Sequence, residues 1–134
     1  MKASGELISD RDLESLADAW IRYQQAALRQ PSGVDEKADF TAVKVVSELS
    51  RRDPRSTIAL IRVVLAKVSD EEMLAVLAAG PLEDVLAKHG AEVIDDVENL
   101  AHQDHRFREL LFGVWKNMID AATWERLERL RRDH

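Results

Sequence analysis

Asp95, Glu98 and His102 stand at spacing i, i+3 and i+7, which puts two carboxylates and an imidazole on one face of a helix, with His105 just beyond. Oxygen and imidazole donors at that spacing are the ligand types a divalent metal takes. The same positions lie opposite Val93, Val97 and Leu100, where charged residues belong in any case, and the pattern offers no outer shell to orient the ligands. A solvated helix face is therefore the first expectation and a metal or catalytic use of Asp95, Glu98 and His102 the runner-up. Glu83 and Asp84 form a carboxylate pair at a helix start, the arrangement general acid–base chemistry would need. Acidic residues in a first turn are also what the helix dipole favours, and Asp84 with Lys88 is an ordinary i,i+4 pair. His89 ends the stripe of Leu82, Val85 and Leu86, where an imidazole can meet free helix carbonyls. The chain has no cysteine, no serine elbow, no glycine-rich phosphate loop and no His-Glu-x-x-His, so neither an enzyme nor a cofactor is expected.

Charge points elsewhere. Residues 69–104 carry ten carboxylates against one lysine, a poor surface for nucleic acid and a docking face for a basic protein. Glu92, Asp95, Asp96 and Glu98 are the expected contributors, because the buried stripe of their helix leaves them outward. Phe112 falls off the stripe that begins at Phe107, which makes it either part of a partner-binding patch or, with Gly113 permitting close helix approach, a second buried side. In "ERLERLRRDH" acidic residues interleave with four arginines, which reads as a salt-bridged terminal helix. The expected function is a non-catalytic protein–protein interaction module with an acidic face, one version being an immunity- or antitoxin-like inhibitor of a basic partner. Monomer and homodimer both stay open.

The elements that must position these residues are legible from their punctuation. Ser9 or Asp10 caps a helix carrying Leu13, Leu16, Ala17, Trp20, Ile21 and Leu28, which ends before Pro31 and Gly33. Phe40, Val43, Val46 and Leu49 form a second stripe, and "RRDP" closes it with Asp53 as the next cap and Pro54 as a first-turn residue. "STIALIRVVLAKV" is apolar nearly all round, the mark of a central helix. Ser69 and Glu72 fit a capping box for a fourth helix through Ala79, and Gly80 and Pro81 restart the chain for a short fifth. Gly90 stands where a left-handed cap is expected, and a sixth helix runs from about Ala91. Asp104 caps a seventh with Phe107, Leu110, Leu111, Val114, Trp115 and Met118 at core spacing, and Asp120 caps the last, with Trp124, Leu127 and Leu130. Trp20, Trp115 and Trp124 are thus expected as core anchors.

This is an all-α chain, a compact bundle of about eight short helices in one domain over residues 1–134, with residues 1–9 as a flexible N-terminal tail. Its 134 residues suffice to bury roughly two-thirds of the unfolded surface. "DPRSTIALIRVVL" and "DHRFRELLFGVWK" share an Asp cap, an Arg two residues on and a Leu and Val in register, which would suit HEAT-like stacked helix pairs. The lack of cysteine, of a signal-like apolar run and of any membrane-length apolar stretch fits a cytoplasmic protein without a membrane partner.

The runs "GPLEDVLAKHG", "VIDDVENLA" and "DHRFRELLFGVWKN", with "LADAWIRYQ" near the start, resemble a small bacterial all-helical domain family of unknown function. The resemblance spans roughly residues 13–125. It implies an independent α-domain and brings no catalytic or binding residues with it. His105 stands where the family's helix start would carry proline, which argues against a shared ligand role for His105.

Overall fold

Most helices in this chain begin where a side chain can take up free amide hydrogens. The computed structural model describes residues 8–29 and 36–132, with the side chains of residues 36–39 outside the description. Helix α1 spans Asp10–Arg29, with Ser9 Oγ accepting from the Asp12 amide at 3.2 Å. Helix α2 is Glu36–Arg52, and α3 is Pro54–Lys67. Asp53 caps α3 by accepting from the Ser56 amide at 3.1 Å and the Ser56 hydroxyl at 2.8 Å. Helix α4 is Glu71–Leu77, a π-helical turn Ala78–Leu82 follows, and α5 is Glu83–Gln103. Helix α6 is His105–Leu110, capped by Asp104, then comes a 3-10 turn Leu111–Gly113. Helix α7, Ala121–Arg132, is the last among the described residues.

Among the described residues there are seven α-helices and no strand, against about eight helices expected. The difference lies in α5, which fuses the expected fifth and sixth helices across a bend at His89 (φ −137°, ψ 30°). Gly90 is accordingly no left-handed cap. Its missing side chain serves close packing, since a Cβ there would stand 2.8 Å from Thr123 Oγ1 on α7. Gly80 and Pro81 do not restart the chain either. Pro81 has no N–H to give to a helical ladder, and the backbone widens around it so that the Glu83 amide reaches back to the Ala78 carbonyl. Asp70, not Ser69, caps α4, accepting from the Met73 amide at 3.2 Å, so the Ser69–Glu72 box does not form.

One apolar cluster holds the helices together. Helix α3 is central as its sequence predicts, burying Ile58, Leu60, Ile61, Val64 and Leu65 together with Ser56 and Thr57. Helix α5 packs on α2, α3, α6 and α7, so distant segments meet around it. That is a bundle and not a stack in which each pair touches only the next. The sequence echo reduces to its caps: Asp53 and Asp104 act alike, but α3 runs 14 residues and α6 only 6. Two expected stripe residues, Leu28 and Phe40, are exposed, and Phe40 packs its ring on Tyr23 at 5.8 Å. Residues 1–7 of the expected N-terminal tail lie outside the described residues, whereas Ile8 donates its amide to Ser56 Oγ and packs on the core, so it belongs to the domain. No helix among the described residues is long and apolar enough to cross a membrane.

Candidate functional site

The sequence pattern carries a helix through Met118, but α6 stops at Leu110. Gly113 is a weak helix former and packs so closely that a Cβ would sit 2.8 Å from Ala78 Cβ. Two side chains then take the backbone groups that the next helical turn would have used. Arg131 on α7 donates to the carbonyls of Leu111 (2.8 Å) and Val114, its guanidinium lying 4.7 Å from the Trp124 ring. Burial lowers the pKa of Arg131, which is the electrostatic cost of that position. Glu83 at the start of α5 accepts from the Trp115 amide with one oxygen (3.1 Å) and from Asn117 Nδ2 with the other (2.6 Å). Asn117 takes a positive φ of 35°, a conformation asparagine tolerates better than most residues.

The chain therefore turns outward after Val114. Trp115 is 71% exposed and Met118 83% exposed, so neither is the core residue its spacing predicts. Ile119, which the periodicity passes over, is buried in their stead. Phe112 is 48% exposed, so it does not form the second buried side that was one of its two expected alternatives. It lines a groove of about 350 Å³ between α4 and α6, floored by Leu74, Ala75, Ala78 and Leu110 and edged by Glu71 and Glu109. Arg106 also borders this groove, but its guanidinium is spent on the Leu65 and Val68 carbonyls at the end of α3.

The acidic residues singled out from sequence are gathered on α5, though most have partners. Arg126 on α7 donates to Glu98 Oε2 at 2.8 Å and to Asp95 Oδ1 at 2.6 Å. The guanidinium holds the Glu98 carboxyl below its usual range, and both carboxylates push Arg126 upward. Glu92 pairs with His89 at 2.7 Å, and Asp96 is exposed. Asp95 and Glu98 thus face an arginine instead of converging with His102. No group of three or more His, Cys, Asp or Glu able to hold a metal occurs among the described residues. His105 sits 3.7 Å from Glu109 at the surface. His89 does meet a free carbonyl, but that of Arg51 at the end of α2 (2.7 Å) and not one of its own helix. Of the expected acidic pair, Glu83 is committed to the turn and Asp84 lies half-buried beside it.

Glu83 belongs to the run "GPLED" and its two partners to "GVWKN", the stretches that carry the family resemblance. The structure joins them, so the exposed turn is built by the most recognisable part of the sequence. No curated protein and no solved structure matches the chain. A model of a family of unknown function, DUF6869, matches residues 28–134, and with most of its length covered the chain belongs to that family.

Proposed function

We propose that the protein is a non-catalytic interaction module whose contact surface is the turn Val114–Asp120 with the neighbouring groove between α4 and α6. The observation that carries this reading is the exposure of Trp115 and Met118 on a turn held by Glu83 and Arg131. Large apolar side chains in water add little to folding. Held in one geometry they supply what a binding hot spot needs, an aromatic anchor whose ordering cost is already met. Methionine adds a surface that adapts to its partner.

The partner's chemistry follows from the groove. Its floor is apolar, Glu71 and Glu109 edge it, and the cation beside it is occupied by backbone carbonyls. A segment presenting an apolar side chain flanked by lysine or arginine fits, which keeps the basic partner expected from sequence while moving the contact off α5. An inhibitor of such a protein is one form the module takes. On α5 the pairing of Asp95 and Glu98 with Arg126 leaves less free charge for steering, with Asp96 the exposed remainder.

Photo-crosslinking tests the site. Benzoylphenylalanine at position 118 captures a basic protein that the same group at exposed Ser15 does not, and Trp115→Ser abolishes the capture without lowering the melting temperature. Equal labelling from both positions, or capture unaffected by Trp115→Ser, refutes the turn as the contact.

A further inference from the structure

Where α4 runs into α5 through its π turn, a second opening forms at Gly80, Pro81 and Asp84. Short π segments of this kind are frequent at functional sites. A cleft of about 220 Å³ lies between this turn and helices α1 and α2, with Trp20, Val43, Val76 and Pro81 as apolar walls. Gly80 borders it, and a Cβ built there meets nothing within 4 Å, so this edge is open. Gln24 and Ser47 add two neutral polar groups, and Asp84 is the one ionisable residue among the described residues of the lining.

The Asp84 carboxylate has no hydrogen bond or ion pair among the described residues. Lys88, one turn along, acts on it only at a distance, and burial is the larger influence, raising its pKa above the usual carboxylate range. A half-buried carboxylate without a side-chain partner costs stability, and perturbed ionisable groups in clefts cluster at functional sites. A neutral ligand would leave the charge unpaired and an anion would be repelled. A metal would find one carboxylate oxygen donor pair and no second, because Glu83 is committed to the Trp115 turn.

We propose that this cleft binds an organic cation, an alkylammonium or guanidinium on a short apolar stem, with the charged head on Asp84 and the stem between Trp20, Val43 and Pro81. The volume is below the roughly 300–1,000 Å³ of sites for drug-sized molecules, so the ligand is a single side-chain-sized group. It comes either as a free small amine or as a lysine or arginine side chain of a protein. The cleft is a separate feature from the turn at Trp115 and does not depend on it.

Amide-resolved NMR titration of the full chain with n-butylguanidinium tests the site, with n-butanol and butyrate as neutral and anionic controls. The expected result is saturable shifts at the Trp20 indole, Gln24 and Gly80, with neither control reproducing them. Asp84→Asn, isosteric and relieved of the buried charge, keeps the native spectrum and binds about tenfold or more weakly, the size of losing one charge-assisted contact. A capped tripeptide with a central lysine that binds more tightly than n-butylamine assigns the ligand to a protein side chain, and the reverse order assigns it to a free amine. Absence of saturable shifts at the cleft, or an equal response from Asp84→Asn or from n-butanol, overturns the proposal.

Discussion

Trp20 and Trp115 have the same side chain on equally good apolar stripes, and they end in opposite environments. Trp20 is 2% exposed, packed into the cluster around α3, whereas Trp115 stands in water. Trp20→Ala should cost roughly 3–5 kcal/mol, the transfer term plus the cavity left behind. Trp115→Ala should cost less than about 1 kcal/mol, as surface substitutions do. Urea unfolding of both variants checks the contrast, and a large loss at Trp115 would place it in the core after all. His89 carries a second residue-scale consequence. Its Nε2 faces the Arg51 carbonyl and its Nδ1 the Glu92 carboxylate, both at 2.7 Å, and two acceptors require both nitrogens to donate. The carbonyl first and Glu92 second raise the pKa of His89 above the ordinary histidine value of about 6.5. The stabilisation from this imidazolium is fully present below the unfolded pKa and is lost as pH rises through the folded one. Melting temperature should therefore fall above about pH 6.5 in the wild type. In His89→Gln that part of the pH dependence should disappear, and an unchanged profile would show that the imidazolium links nothing.

At the scale of elements, α5 decides the architecture, and its middle depends on a residue without a side chain. Gly90→Ala should cost about 1–3 kcal/mol, because a methyl 2.8 Å from Thr123 Oγ1 forces α7 away. Combined with Thr123→Ala the loss should be less than the sum of the two single changes, a coupling that a double-mutant cycle reads directly. Strict additivity would mean that the two helices do not meet there. The same position shows what the sequence could and could not disclose. Caps at Ser9, Asp53, Asp104 and Asp120 were legible because each acts on amides within three residues of itself. The stripes of α3 and α5 were legible because burial repeats with the helical period. Gly90 and the end of α6 were not, since their causes lie far along the chain. Glu83 acts on Asn117 across 34 residues and Arg131 on Leu111 across 20, and neither leaves a trace in local periodicity. The candidate site was half visible for this reason. Phe112 falls off its helix's stripe and so stands out in the sequence, whereas Trp115 reads as core, because the close packing of Gly113 on Ala78 and the distant hydrogen bonds of Glu83 and Arg131 turn it outward.

For the molecule as a whole, charge is spent on joining helices more than on building a field. The net charge of −6 suggests an acidic surface concentrated in residues 69–104. One cation from elsewhere in the fold reaches into its second half, Arg126 meeting Asp95 and Glu98, and other arginines join helices outside it: Arg106 closes the end of α3 and Arg108 donates to Leu130 near the end of α7. Arginine suits this work, as one planar group serves two acceptors without losing its charge. Reversing Asp95 and Glu98 to lysine is therefore no neutral probe of steering. Each exposed pair is worth no more than about 1 kcal/mol, but the reversal also sets two cations against Arg126 with Arg129 nearby. Asp95→Lys with Glu98→Lys should lower stability by on the order of 1 kcal/mol or more, less so at high salt, where the repulsion is screened. Adding Arg126→Glu should restore most of it by swapping the signs. Because one core cluster joins all the helices, the loss should appear as a shift of a single cooperative transition, with helix and tryptophan signals moving together. If the double reversal leaves the transition where it was, the link between α5 and α7 is only a surface contact, and residues 69–104 regain their place as a free acidic face.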